Sequence, residues 1–420
     1  MALKKKILAA LLNSSSSGAA GSAALDDAQL TDLVSLYVPL KNSLVLTNGT
    51  GDPTFTRASV ATVWGYAAAA NEADGQTLLS VASGEARFTG ARRVSEGVWS
   101  NLFADGSAIP DSTLKGYLAE GERTNRCLYS NDFSNAAWVA SNVTKGADNH
   151  TAPDGTASAY SLTATAANGT VIQDLGVVAS ASKTGGFYLK RKTGTGNIDI
   201  TMDGGTGWTT VAVTSTWTRF EKNQTLADED FGIRLVTSGD AVYVWNGQVE
   251  TAAFLSSPVT TTSAAVPRAA DVLTYPTSGN FSDTAGTCYA EFYRANAIGV
   301  IYPRVVGDTV SDSTPLYLQG GTSKVAIYDL STEVATAGTF STSSINKAAS
   351  KWEGAAMSVC LGGGAVASGV YDGSYNLTAL GIGANATTNQ LFGNIRNVTI
   401  WQLAVPSYNL IDITTNGLPF

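Results

Sequence analysis

His150 is the single histidine of a 420-residue chain, so a Ser-His-Asp triad or an imidazole zinc site would have to be built on one residue in the polar segment KGADNHTAPDG. That segment reads as a surface turn, and His150 as part of it rather than as a base. Asp228, Glu229 and Asp230 stand together in ADEDFG. Neighbouring acids in a turn make a solvated face, whereas glycoside hydrolysis needs two carboxyl groups facing across a gap of roughly 5–10 Å. GIGANA, from Gly381 to Ala386, and the run Leu361-Gly362-Gly363-Gly364 imitate nucleotide loops. No helical pattern follows either and no Gly-Lys-Ser/Thr completes a P-loop, so both read as β-turns. Cys127, Cys288 and Cys360 are odd in number and far apart, which fits neither a disulfide framework nor a zinc set. They read as free, mostly buried thiols of a protein folded in a reducing cytoplasm. No Asp-x-Asp-x-Asp loop is present for calcium. The expectation is a protein that is not an enzyme and takes no cofactor and no metal.

The chemistry that remains is binding. Sugars offer C–H faces that stack on Trp and Tyr, while short polar side chains take up their hydroxyls. Trp208 in GGTGWTT lies among turn residues, and so do Tyr371, Asp372, Tyr375 and Asn376 in VYDGSYNL. These are the candidate glycan contacts, with the carboxyl-terminal unit as the adhesive tip. The plainer alternative is that the tyrosines close a hairpin and that Trp208 belongs to a core.

The elements that must position them are strands. Only 14% of residues are charged and 44% are apolar, with 43 Gly and 11 Pro, the profile of short strands joined by small-residue turns. A net charge of −8 and a pI of about 4.8 argue against nucleic acid, which needs clustered Lys and Arg. No run is long enough for a membrane span. The start MALKKKILAALL imitates a secretory signal but its apolar stretch is short. The preferred reading is an amphipathic helix over Lys4 to Leu12 that anchors the chain on a larger particle through Ile7, Leu8, Leu11 and Leu12.

After a Ser/Gly/Ala tether, LDDAQLTDLVSLYVPL places Leu25, Leu30, Leu33, Val34 and Leu36 near helical spacing, with acids in the first turn and Pro39 as the stop. So short a helix needs a partner, either adjacent strands or a trimeric bundle. The expected fold class is mainly β: tandem antiparallel β-sandwiches (jelly rolls) after a short N-terminal helical anchor. Residues 1–39 form anchor and tether, 40–126 a β-rich neck, 127–268 one sandwich and 269–420 another. Period-two alternation picks Tyr188, Ile200, Phe220, Ile233, Val242 and Val244 as core of the first sandwich.

Several phrases are specific. GYLAEGERTNRCLYSNDFSNAAWV, from Gly116 to Val139, joins "E-x-x-R-T-N" to "L-Y-S-x-D-F-S-N-x-x-W"; FTRASVATVW and SGEARFTGARRV precede it, and GDAVYVWNGQVETAAFLSSPVTTTSAAVPRAADV follows. Over roughly residues 55–272 the chain resembles bacteriophage virion-appendage proteins, of the head-spike or tail-fibre type, with a carbohydrate-binding-module-like sandwich. The ending from Ala379 to Val405 resembles the final hairpin of a concanavalin-like or laminin-G-like jelly roll. The resemblance implies a structural protein on the virion surface, made in the host bacterial cytoplasm. It further implies a homotrimer joined to capsid or tail proteins through its N-terminus, with host-surface glycan as partner and neither nucleic acid nor membrane insertion. Alternatives are a secreted bacterial lectin or carbohydrate-active protein, and a non-adhesive capsid decoration protein.

Overall fold

The computed structural model describes residues 25–295, 302–308, 313–336, 338–372, 375–384 and 389–418. Ile7, Leu8, Leu11 and Leu12, the expected anchor, lie outside the described residues. The chain is mainly β and antiparallel throughout its named ladders, as its alternation dictates.

The second sandwich is not confined to residues 269–420. One of its sheets runs in the order Ala367–Val370, Ala356–Leu361, Asn346–Glu353, Ala285–Tyr293, Gly393–Trp401, Gly116–Ala119, Phe88–Thr89, and Val34–Val38 also pairs with Gly393–Trp401. The facing sheet runs Thr54–Thr56, Val272–Tyr275, Leu380–Ile382, Arg304–Asp308, Thr314–Gln319, Lys324–Tyr328, Glu333–Ala335. One apolar core joins Leu36, Val63, Phe88 and Tyr117 to Leu273, Leu316, Trp352 and Ile400. The stretch expected as a separate neck therefore supplies strands to this sandwich, and the sandwich of residues 127–268 is an insertion into it. A pairing between residues 34–38 and 398–401 has no local signal, so local patterning reads the chain as consecutive units.

The expected helix over Leu25 to Leu36 is also shorter than its spacing implied. Helix α1 spans Asp27–Asp32, capped by the Asp26 side chain on Gln29 N–H at 2.8 Å, and the chain then turns extended. β-branched Val34 and Val38 favour the strand, and pairing with Gly393–Trp401 satisfies the backbone there. Leu25, Leu30, Leu33 and Val34 pack on Trp401, Val405, Leu410 and Ile413, the last two from helix α2, Ser407–Asn416. The partner of this segment within the chain is thus the adjacent sandwich. Trp401 Nε1 donates to Leu30 O at 2.8 Å, and Asn409 clamps both backbone groups of Leu25.

In the inserted sandwich, Gly169–Thr193 and Thr218–Leu235 pair along most of their length. Bulges between Asp174 and Ala181 break the register. Residues 170–172 also pair with Val139–Ser141, while residues 184–193 pair with Ala241–Glu250. Phe187, in the second half of Gly169–Thr193, stacks at 4.1 Å on Phe231, which pairs with the first half. Ile200, Ile233, Val242 and Val244 are fully buried in this core and Phe220 packs at its edge. Tyr188 is buried on the opposite face, with Trp245, Trp64 and Leu78, where the insert meets its host.

An ionic lattice fastens that junction. Arg57 Nη1 lies 2.9 Å from Asp271 Oδ1, Arg87 Nη1 lies 2.8 Å from Glu120 Oε2 and its Nη2 reaches Asp271, and Arg268 Nη1 stands 3.4 Å from Glu120. Ser257, on the exit from the insert, donates its N–H and its hydroxyl to Glu120 at 2.8 and 2.6 Å. Asn125 is buried and uses both ends of its amide: Nδ2 donates to the carbonyls of Gly247 and Val259, and Oδ1 accepts from the N–H groups of Cys127 and Val249. All three cysteines are free and buried.

Candidate functional site

Three successive strands of the second sandwich alternate so that aliphatic side chains face the core and polar or aromatic ones face away. Leu316 and Leu318 point inward around Tyr317, Val325 and Ile327 precede Tyr328, and Val334 follows Glu333. Tyr317 is paired with Arg304 on one side and Ala326 on the other. Because Ala326 is small, the Tyr317 ring crosses over it and its hydroxyl donates to Glu333, one strand further on. Gln319 Nε2 donates to the other Glu333 oxygen.

Arg304, Tyr317, Tyr328 and Glu333, with Tyr302, Thr314 and Asn389, line a cleft of about 310 Å³. Tyr302 is 51% exposed and its ring centroid lies 6.2 Å from that of Tyr317 at 54°, so the two make an angled wall and floor. The Tyr328 hydroxyl is tied to Leu330 O at 2.9 Å, and Arg304 Nη1 to Asp308 O at 2.7 Å. Burial, and then the Glu333 carboxylate, push the Tyr317 hydroxyl above its ordinary pKa, so it stays a donor. The arrangement sets a cation and a carboxylate beside aromatic faces. It can stack on an apolar ring face while giving and accepting hydrogen bonds. Glu333 is the one carboxylate among the described residues that line the cleft.

The residues expected from sequence fall elsewhere. Tyr371 and Tyr375 are each 2% exposed and belong to the core, which corrects their reading as stacking platforms. Tyr375 packs edge-on to Trp352 at 5.2 Å, and Tyr371 donates to Asp283 O. A ring that closes the end of a sandwich offers no face to a sugar. Asp372 and Asn376 are exposed beside them, and the Asp372 N–H donates to Asp329 at 3.1 Å. Trp208 is half-buried with the Arg234 guanidinium 4.5 Å over its ring, so that cation covers part of the platform.

His150 ends the strand Val143–His150 rather than capping a loop. It stacks on Tyr243 at 3.9 Å, with Lys190 Nζ 3.0 Å from Nε2, and burial and Lys190 hold its pKa below the usual value. Glu229 is likewise not in a solvated turn. It lies in a strand, buried, 2.8 Å from Arg126 and 2.5 Å from Lys183. Among the described residues no cluster of His, Cys, Asp or Glu could hold a metal ion, and no helix is long and apolar enough to cross a membrane.

Sequence reasoning passed over Tyr302, Tyr317 and Tyr328. The signal was present in IYPRVV, PLYLQ and KVAIYD, where a tyrosine flanks core aliphatics on each of three consecutive segments. Residues from neighbouring strands gather on one outward face in that pattern.

No protein-family model matches the chain, and no curated protein does. Among solved structures, the Ruminococcus gnavus IT-sialidase CBM40 bound to alpha2,3 sialyllactose is 14% identical over 31% of this chain and 83% of that one, with a TM-score of 0.24. The N-terminal CBM22-1-CBM22-2 tandem domain of Paenibacillus barcinonensis Xyn10C is 9% identical over 64% and 93%, with a TM-score of 0.22. A truncated AlyQ with CBM32 and alginate lyase domains is 8% identical over 64% and 98%, with a TM-score of 0.19. Likeness this faint carries no inference about the ligand of this chain, which has to be read from its own side chains.

Proposed function

We propose that the chain is a non-catalytic, glycan-binding fibre or spike protein of a bacteriophage virion, and that it holds host-surface saccharide in the tyrosine cleft of its second sandwich. The observation that carries the binding role is that cleft: Tyr302 and Tyr328 offer ring faces beside the buried Tyr317, with Arg304 and Glu333 as hydrogen-bonding groups between them. A lone carboxylate among the described lining residues supports binding over hydrolysis, which uses two facing each other. The virion setting is supported by the phrases between Phe55 and Val272, and the leader with Ile7, Leu8, Leu11 and Leu12 would join the protein to capsid or tail. A secreted bacterial lectin would share the cleft and differ in losing its leader.

The test is a glycan array drawn from the surface polysaccharides of candidate hosts, probed with the chain and with Tyr302→Ala and Tyr328→Ala. The expected outcome is selective retention by the parent chain and about tenfold weaker retention by each variant at an unchanged melting temperature. Equal retention by folded variants would reject the cleft, and release of reducing sugar would reject the absence of catalysis.

A further inference from the structure

A second cleft, of about 310 Å³, lies where the inserted sandwich meets its host, between Trp64, Tyr188, Phe254 and Phe392, with Glu221 and the arginine-paired Glu120 also in its lining. Arg219 lines it from the strand Thr218–Leu235, directly across the ladder from Tyr188, with its guanidinium 5.5 Å from that ring. Nη1 donates to Ser256 O at 2.6 Å, which fixes the plane of the group. Nε and Nη2, the pair on one side of the guanidinium that grips a carboxylate in a two-pronged fork, are buried and have no hydrogen-bond partner. The nearest carboxylate, Glu221, stands 3.9 Å from Nε, beyond hydrogen-bond reach, and its other oxygen accepts from Leu255 N–H at 3.3 Å.

Behind the Phe254–Phe392 wall lie two more cations. Arg294 is fully buried 5.6 Å from the Phe254 ring, with no hydrogen-bond partner for its three guanidinium nitrogens among the described residues, and Arg123 lies 4.1 Å over Phe392. Burial, and then Arg123, pull Arg294 down to about 10, still charged at neutral pH. Leaving charged donors buried without an acceptor is costly, and an anionic ligand removes that cost for Arg219.

We infer that this interdomain cleft is a second binding site, for the carboxylate-bearing sugar unit of an acidic polysaccharide. The Arg219 fork takes the carboxylate once the Glu221 side chain, 35% exposed, swings aside to accept a hydroxyl of the same unit, and the aromatic walls take the apolar ring face. The site uses none of the residues of the tyrosine cleft and does not depend on it.

The test is calorimetric titration of the full chain with oligogalacturonate and with its neutral methyl ester. The expected outcome is binding of the acid form, weakened about tenfold or more in Arg219→Lys, which keeps the charge and loses the fork, and undiminished in the Tyr302→Ala/Tyr328→Ala double variant. Equal affinity for acid and ester, no binding by the parent chain, or unchanged affinity in Arg219→Lys would overturn the inference. Should Arg219→Lys not fold, crystals of the parent chain soaked with the acid trimer decide. A carboxylate on Arg219 supports the site; ligand in the tyrosine cleft, or nowhere, overturns it.

Discussion

Glu120 shows how single residues in the recognisable phrases work. Burial alone would raise its pKa, but Arg268 and Arg87, with two hydrogen bonds from Ser257, hold it down to about 2. A carboxyl depressed from 4.5 contributes stability that is complete above pH 4.5 and is lost as pH falls towards 2. The expected outcome is a melting temperature that holds from pH 7 to about 5 and then drops. The loss from this group amounts to about 3 kcal/mol, and the slope flattens in Glu120→Gln. Melting curves across that range check it; a Glu120→Gln protein with the parent's acid slope would contradict it. Asn125, Arg57, Arg87 and Asp271 are likewise buried and partnered at the junction. The words that stood out in the sequence, FTR, ARF, ERTN and PRAAD, supply buried charges and amide clamps at the junction of the insert and its host. Such residues are legible as unusual from sequence, but their role requires knowing that positions 57, 87, 120 and 271 meet.

Among the elements, the segment after the tether has the most to lose. Val34–Val38 fills a position in the sheet beside Gly393–Trp401, and the buried face of α1 covers Trp401 and helix α2. Removing residues 1–24 should leave the melting temperature within a few degrees. Removing residues 1–38 exposes a strand edge and the apolar face beneath it, giving aggregation. Size-exclusion chromatography and melting of the two truncations check this, and a monodisperse, equally stable second truncation would contradict it. The strands themselves were readable, because period-two alternation is local: Ile200, Ile233, Val242 and Val244 all lie in the core. Helical spacing at Leu25 to Leu36 misled because leucines at positions 25, 30 and 33 and a strand beginning at 34 bury the same side of the chain. Tyr371 and Tyr375 misled for a related reason. Turn residues around an aromatic mark exposure only if the ring points outward, and here Phe281 and Trp352 draw in Tyr375, on which Tyr371 packs at 5.3 Å. The tyrosine cleft escaped notice because its residues come from separate strands that sequence alone does not align.

Taken whole, the molecule is one sandwich interrupted by another, with an aromatic cleft on the outer face of the first and an arginine-lined cleft between them. A virion fibre built from this chain is proposed to be a homotrimer, and light scattering of the purified protein at micromolar concentration should give three times the 43.4 kDa chain mass; a clean monomer would count against it. The tyrosine cleft is proposed to hold saccharide. Calorimetric titration of purified host-surface polysaccharide into the parent chain and into the folded Tyr302→Ala/Tyr328→Ala double variant tests it most directly. Saturable binding by the parent chain and at least about tenfold weaker binding by the variant are predicted; identical isotherms for the two proteins would contradict it.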